Sequence, residues 1–231
     1  MMDPDTAIGG PNARFPATRI SAVEALRSPI AIERTRGYEA LVASYWKPVY
    51  KYIRIKWRKS NEDSKDLTQA FFARAIEKDF LLPYDPAKAA FRTFLRVCLD
   101  GFLANESQAA GRLKRGGDAI TEPLDFDAAE GELGRQPVST ELSGEEYFHR
   151  EWRRHLFGLA VEQLRRECEA AGKAIRMRLF ERYDLEEGGA ATYEQLAAEF
   201  AIPVSQVTNA LAAARRDFRR ILLELDADVA L

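Results

Sequence analysis

The polar side chains with the clearest recognition chemistry lie near the C-terminus, between Thr192 and Leu223. Amide groups such as those of Gln206 and Asn209 can pair with the edge of adenine, and arginines can pair with guanine or with phosphate. A solvated polar helix face is the alternative interpretation. The stretch supplies seven candidate DNA-binding residues, which are Ser205, Gln206, Thr208, Asn209, Arg215, Arg216 and Arg219.

A second group of candidate nucleic-acid contacts surrounds the strongly patterned segment that begins at Phe91. Two arginines lie off its apolar stripe, further cations follow it, and a loop with one tyrosine precedes it. Cations along a backbone and a ring that stacks on a base are the usual means of holding a single strand. For the tyrosine, burial in a core is the competing interpretation. The candidates are Tyr84, Arg92, Arg96, Arg112, Lys114 and Arg115.

The segment from Asp63 to Ile76 begins with acidic residues, which suit the positive end of a helix dipole. Its polar residues also form a candidate surface for a protein partner. The residues of this predicted surface are Asp63, Lys65, Asp66, Gln69 and Arg74.

The residue types that carry catalysis are sparse. The chain has 2 cysteines and 2 histidines, and neither Cys98 nor Cys168 matches the spacing of metal ligands. His149 and His155 fall on one predicted helix without a constellation of carboxylates, and no Gly-rich phosphate loop is present. We therefore expect no metal, no cofactor and no enzymatic activity, and an enzyme acting on nucleic acid is disfavoured.

The elements that carry these groups are predicted to be α-helices. Apolar residues recur every three or four positions from Leu41 to Trp57 and from Phe91 to Leu103. Thr192 and Gln195 have the spacing of a capping box, and Ser205 suits the N-cap of a longer helix that follows. Two helices joined by a short turn predict a helix-turn-helix, within an all-α fold.

Charge divides the chain into blocks although its net charge is only −2. Residues 34–117 hold 17 basic and 9 acidic residues, which favours a surface for a polyanion. Residues 118–146 hold 1 basic and 9 acidic residues with several Gly and Pro, which predicts a flexible linker. We predict an N-terminal extension (1–33), a helical domain (34–117), an acidic linker (118–144) and a helix-turn-helix domain (145–231).

No run approaches the roughly 20 apolar residues of a membrane-spanning helix. The first residues are polar and rich in turn formers, unlike a secretory signal. The expected compartment is the cytoplasm, without a membrane partner.

Three segments, in this order, resemble bacterial RNA polymerase sigma factors of the extracytoplasmic-function group. "DSKDLTQAFFARAIEKDF" resembles the helix that binds core polymerase, and "FRTFLRVCLDGFLANESQAAGRLKR" resembles the helix that melts and reads the minus-ten element. "TYEQLAAEFAIPVSQVTNALAAARRDFRRIL" is similar to the helix-turn-helix that reads the minus-thirty-five element. The resemblance covers roughly Gly37 to Arg115 and Glu145 to Glu224.

The resemblance implies a sigma subunit that directs promoter recognition, DNA melting and transcription initiation. Its partners would be promoter DNA and the beta-prime clamp and beta flap of core RNA polymerase. The surface from Asp63 to Ile76 would dock on the core, and a pocket near Tyr84 would receive a base turned out of the stack. The acidic linker would lie inside the polymerase. A one-component helix-turn-helix regulator that binds duplex DNA without polymerase is the alternative.

Control by an anti-sigma factor or by a Ser/Thr kinase is also compatible with the resemblance. Lys65 interrupts the acidic start of the core-binding segment, and Ser64 lies directly before it. A phosphate on Ser64 would add about −1.5 to −2 charge near a helix N-terminus, where negative charge is favourable. Ser64 is therefore a candidate regulatory site, although an ordinary early-helix serine is the simpler interpretation.

Overall fold

The computed structural model describes residues 19–109, 124–135, 142–186 and 191–225. Within these ranges the regular elements are helical and no strand occurs, which confirms the predicted all-α class. None of the described helices is long and apolar enough to cross a membrane. In chain order the elements are α1 (Arg19–Leu26), α2 (Ala31–Lys56), α3 (Asn61–Glu77), α4 (Phe91–Ala109), α5 (Phe126–Gly134), α6 (Gly144–Ala170), α7 (Ala174–Phe180), a π-helical turn (Glu181–Leu185), α8 (Tyr193–Glu199) and α9 (Val204–Leu225).

The described residues divide into two compact units, one from Arg19 to His155 and one from Leu156 to Leu225. The division falls inside α6, and the described parts of the predicted acidic linker, residues 124–135 and 142–144, belong to the first unit. The first unit therefore contains α1 to α5 with the N-terminal part of α6. The second contains the rest of α6 with α7, the π-helical turn, α8 and α9.

Helix α2 is the central element of the first unit. It passes through Pro48 as one continuous helix, although proline inside a helix commonly causes a kink. Its apolar stripe includes Tyr45, Val49 and Ile53, each with 0% of its surface exposed. Because α1, α3 and α5 all contact α2, this helix sets the position of α3, which carries the candidate partner surface.

Helix α1 lies inside the predicted N-terminal extension (1–33), for which no helix was predicted. Ala22, Val23 and Leu26 are buried, and α1 packs directly on α2. The contact depends on Gly37, because a Cβ at this position would lie 2.7 Å from the carbonyl oxygen of Ala22. The extension thus adds an element to the core of the first unit.

Helix α5 corrects the prediction of a flexible linker for residues 126–134. The Asp125 side chain caps this helix by accepting a hydrogen bond from the Ala128 N–H at 2.9 Å. Phe126 and Ala129 are buried, and α5 packs against α2. Tertiary contacts explain the difference, since a nine-residue segment has little helical stability by itself.

The second unit has its core where α7, α8 and α9 meet. Leu179, Leu196, Val207 and Leu211 form one buried cluster. The predicted capping box at Thr192 and Gln195 is present with both of its hydrogen bonds.

The turn between α8 and α9 contains Ala201 in the left-handed region, at φ 52°. Helix α9 begins at Val204, one residue before the predicted N-cap Ser205. It buries a stripe that includes Val207, Leu211 and Ala214.

Candidate nucleic-acid interface

The N-terminal half of α9 presents a polar face opposite its buried stripe. Val207 and Leu211 have 0% exposure, whereas Ser205, Gln206, Thr208 and Asn209 are exposed. The Thr208 hydroxyl donates to the carbonyl of Val204 at 3.1 Å, a bond within the helix. The amides of Gln206 and Asn209 are the groups on this face that can read a base edge.

The arginines of α9 divide into two groups. Arg216 and Arg219 are exposed and form no ion pair within the described ranges. Arg215 instead binds Asp184 through two guanidinium nitrogens, at 2.8 and 3.1 Å, and lies over the Tyr183 ring at 5.1 Å. Hydrogen bonding to Asp184 is the main reason that the pKa of Arg215 is raised. A DNA contact by Arg215 would have to compete with this internal ion pair, and its role at DNA stays a prediction.

An open apolar groove of about 550 Å³ lies beside these arginines in the second unit. Phe157, Phe180, Phe218 and Leu222 line it, and Phe157 is 45% exposed. Arg216 and Arg219 line the same groove, so it combines apolar surface with positive charge.

The predicted cations of α4 are engaged by the N-terminal part of α6. The Arg92 guanidinium lies 5.0 Å from the centre of the Trp152 ring. Arg96 pairs with Asp100 at 2.6 Å and approaches Glu145 at 3.9 Å. Both arginines are half-buried, so this face of α4 is covered in the structure. Arg112, Lys114 and Arg115 lie outside the described residues.

Tyr84 is a core residue and does not line an open pocket for a base. It is 7% exposed, and its ring centre lies 5.0 Å from that of Phe91 in an edge-on arrangement. Arg27 donates to the carbonyls of Leu82 and Tyr84, which fixes the loop. The aromatic side chains of α4 fill the space around Tyr84, so the predicted base-receiving pocket would require this ring to leave the core, and the pocket stays a prediction.

The candidate partner surface on α3 is only partly free. Asp66 and Gln69 are exposed. Asp63 takes part in the helix cap, because its backbone N–H donates to the Ser60 hydroxyl at 3.1 Å. Arg74 pairs with Glu106 at 2.7 Å, and Lys65 lies 3.4 Å from carboxylate oxygens of both Glu62 and Asp127.

Ser64 does not lie on this surface. Its exposure is 0%, and its hydroxyl oxygen has no hydrogen-bond partner among the described residues. The first turn of α3 directs Ser64 into the protein interior, so a kinase could reach it only after this turn opens, and its regulatory role stays a prediction.

A basic face of α2 lies beneath α5 and was not among the predicted sites. Lys47 and Lys51 contact Glu132 at 2.9 and 2.6 Å, and Arg54 forms an ion pair with Glu130. Hydrogen bonding to Arg54 is the main reason that the pKa of Glu130 is lowered. The sequence signal was available, since the three cations follow a spacing of i, i+4 and i+7 on one helix face.

The thiol and imidazole groups of the chain are buried or half-buried. Burial raises the pKa of the Cys98 thiol to about 11 and lowers that of His149. His155 donates through Nε2 to the Ala43 carbonyl at 2.9 Å. In the part of the chain that the structure describes, no group of His, Cys, Asp or Glu could hold a metal ion.

No protein-family model matches the chain, and no significant match occurs among curated proteins or solved structures. The resemblance to sigma factors therefore depends on the three sequence segments alone. The arrangement of groups on α9, α3 and α4 is the physical basis for a functional proposal.

Proposed function

We propose that the chain is a sigma-type subunit that joins core RNA polymerase and reads promoter DNA through α9. The observation that carries the proposal is the exposed face of α9, where Ser205, Gln206 and Asn209 lie opposite a fully buried stripe. In a helix-turn-helix, the N-terminal residues of the second helix meet base edges in the major groove. The pair α8 and α9, with its capped start and short turn, has the element order that this motif requires.

Phosphate contacts would come from Arg216 and Arg219, further along the same helix. Their charges are free of ion pairs within the described ranges, so they can release counterions from DNA without breaking an internal contact. Arg215 is assigned a structural role in this proposal because Asp184 holds it.

Core polymerase would dock on the exposed side of α3, at Asp66 and Gln69, as the resemblance implies. The apolar groove beside Phe157 and Phe218 is the candidate contact for the beta flap, since exposed apolar surface of this kind commonly marks an interface. Promoter melting would use α4, with Arg92 and Arg96 released from Trp152 and Glu145. The covered face of α4 therefore predicts a conformational change in the first unit before minus-ten DNA is held.

The covered cations also favour a second candidate, a one-component regulator. Such a protein needs only α9 to bind duplex DNA, and it needs no free cations on α4. In that case Arg92 and Arg96 would have a purely structural role, as their contacts in the structure allow.

Transcription with purified core polymerase and a library of genomic promoter fragments distinguishes the two candidates. The sigma proposal expects that the chain co-elutes with core polymerase and that specific initiation requires both components. Asp66→Lys with Gln69→Ala should abolish co-elution, and Glu39→Lys, which makes the same change of charge at an exposed residue of α2, is the matched control. The one-component regulator would be established instead by two results together. The chain would protect a specific duplex site from cleavage in the absence of polymerase, and it would support no initiation when core polymerase is added.

A further inference from the structure

The ion pairs between α2 and α5 form one continuous contact within the first unit. Phe126 packs on Trp46 and Tyr50, with ring centres 5.4 and 5.2 Å apart, and Glu130 and Glu132 lie on the cations beside them. The Tyr50 hydroxyl also donates to Glu130 at 2.5 Å. Helix α5 thus brings an aromatic ring and carboxylates to a surface of aromatic rings and cations.

We propose that this face of α2, formed by Trp46, Lys47, Tyr50, Lys51 and Arg54, is a binding site for single-stranded nucleic acid, and that α5 occupies it in cis as a displaceable mimic. Phosphates would replace the carboxylates of Glu130 and Glu132, and a base would replace the Phe126 ring. Cations next to aromatic rings are the combination that single-strand sites use. The site is additional to the predicted contacts on α4 and α9.

The charges that α5 releases can be assigned individually. Lys47 and Arg54 have Glu132 and Glu130 as their carboxylate partners in the described ranges, so they become free when α5 leaves. Lys51 keeps the buried carboxylate of Glu151 at 3.1 Å, so it contributes little net charge. Undocking of α5 therefore frees two cations of α2, Lys47 and Arg54, for contact with phosphates.

The structure also explains why α5 can leave. It has nine residues and buries Phe126 and Ala129, whereas Glu130 and Glu132 keep 30% and 35% of their side-chain surfaces exposed. Short helices with few buried residues open at low free energy. A polyanion is favoured over an acidic protein because residues 34–117 carry a net charge of +8, which attracts any long polyanion to this unit.

The test measures binding of a fluorescein-labelled thymidine homopolymer to the full-length chain, without polymerase or promoter, so its result does not depend on the proposed function. The released variant carries Phe126→Ala, Glu130→Gln and Glu132→Gln. The matched control carries Glu39→Gln and Glu77→Gln, two exposed carboxylates without an ion pair in the described ranges, so that the net charge changes equally. Circular dichroism of both variants measures helical content, and the released variant should lose no more helix than the nine residues of α5.

The released variant should bind at least about tenfold more tightly than the parent if α5 is docked more than about 90% of the time. The slope of log K against log salt should steepen by about 1.4, for two cations that meet phosphates of a single strand. Adding Lys47→Gln and Arg54→Gln to the released variant should remove both gains.

Four outcomes would overturn the proposal. These are equal affinity of parent and released variant, an equal gain in the matched control, a gain that survives loss of Lys47 and Arg54, and collapse of the remaining helices in the released variant. If the released variant binds a peptide of residues 124–135 in trans but not the homopolymer, the site belongs to an acidic protein helix and the nucleic-acid assignment is wrong.

Discussion

Lys51 and Glu151 form a buried ion pair between α2 and α6, with Nζ and Oε2 3.1 Å apart and side chains 2% and 1% exposed. Each charge has further partners, since Lys51 also binds Glu132 and Glu151 also accepts from Arg154 at 2.7 Å. The pair joins α2 to the first half of α6 inside the first unit.

Breaking this pair from either side should destabilise the first unit. Lys51→Met or Glu151→Leu should each lower the free energy of unfolding by about 2–3 kcal/mol, below the full cost of a lone buried charge because the other partners remain. In the double variant, the loss of unfolding free energy should be smaller than the sum of the two single losses by at least about 1 kcal/mol, since neither charge is then left unpaired. Urea unfolding of the four proteins measures this coupling, and strictly additive losses would show that the two charges act independently.

The close approach of α1 to α2 gives a prediction about the N-terminal extension. Gly37→Ala should destabilise the protein by about 1–3 kcal/mol, because the new Cβ meets the Ala22 carbonyl at 2.7 Å and the Ala25 Cβ at 3.0 Å. The matched control is Gly101→Ala on α4, where nothing lies within 4 Å, and it should stabilise by about 0.5–1 kcal/mol. Thermal unfolding of both variants is the measurement, and a neutral Gly37→Ala would mean that α1 is free to move away.

Substitutions of Ser64 test whether this side chain has a structural role in the interior or is accessible to a modifying enzyme. Ser64→Ala should change stability by less than about 1 kcal/mol, or raise it, because the hydroxyl it removes is buried and has no hydrogen-bond partner among the residues that the structure describes. Ser64→Glu should strongly destabilise the protein, since it places a charge in the interior. Ser107→Glu, on the exposed side of α4, is the control and should lie within about 0.5 kcal/mol of the parent. A Ser64→Glu protein as stable as the parent would show that the first turn of α3 opens readily.

Substitutions on α9 should distinguish residues that read the DNA sequence from residues that add affinity for any DNA. Gln206→Ala or Asn209→Ala should relax the preference for particular upstream elements, at about 1–3 kcal/mol for each lost base contact. Arg219→Ala should weaken all elements alike and reduce the salt dependence, and Arg153→Ala, an exposed arginine on α6, should do neither. Selection from a randomised duplex library measures the preference, and an unchanged preference in both amide variants would show that α9 does not read bases.

Arg215 should behave differently from its neighbours on α9. Arg215→Ala should lower stability because it leaves Asp184 without its guanidinium partner, and Asp184→Ala should cause a similar loss. DNA selectivity should be retained in both variants at a temperature where they remain folded. A selective loss of DNA binding in Arg215→Ala, at unchanged stability, would instead establish Arg215 as a direct DNA contact.

Strong periodicity was sufficient to predict the long helices. α4 and α9 each have an apolar stripe that one face must bury, and the structure buries Leu95 and Leu99 on the first and Val207 and Leu211 on the second. The capping box of α8 was also predictable because it depends on residues three apart in the chain. Local interactions of this kind can be read without knowledge of the tertiary fold.

The features that sequence reasoning missed depend on partners distant in the chain. α5 is held by Arg54 and Lys47, about 80 residues before it, and its own acidic and Gly-rich sequence favours a loop. Tyr84 is buried because Phe91 and Phe94 pack on it, which no local pattern specifies. The pairing of Arg215 with Asp184 was also missed. It forms only in the folded protein, where the π-helical turn places Asp184 beside α9.

Acid should release α5 before it unfolds the rest of the first unit. Hydrogen bonding to Arg54 is the main cause that lowers the pKa of Glu130. For Glu132, burial raises the pKa, but hydrogen bonds from Lys51 and Lys47 outweigh it and the net shift is downward. A carboxylate whose pKa is lowered by docking stabilises the docked state fully above its ordinary pKa of about 4.3. That stabilisation is lost as the pH falls further, through the lowered values of the docked state.

The indole N–H resonance of Trp46, which lies against Phe126, should therefore shift on acidification below about pH 4.3, before those of Trp57 and Trp152. The doubly neutral Glu130→Gln, Glu132→Gln variant should show the shifted Trp46 resonance already at neutral pH, because it lacks the carboxylates whose ionisation docks α5. Lys65, which approaches Asp127 at 3.4 Å, contributes only an exposed pair, so Asp127→Asn should leave the transition nearly unchanged and serves as the control. Simultaneous movement of all three indole resonances would mean that α5 and the core unfold together, and the idea of a separately displaceable helix would then fail.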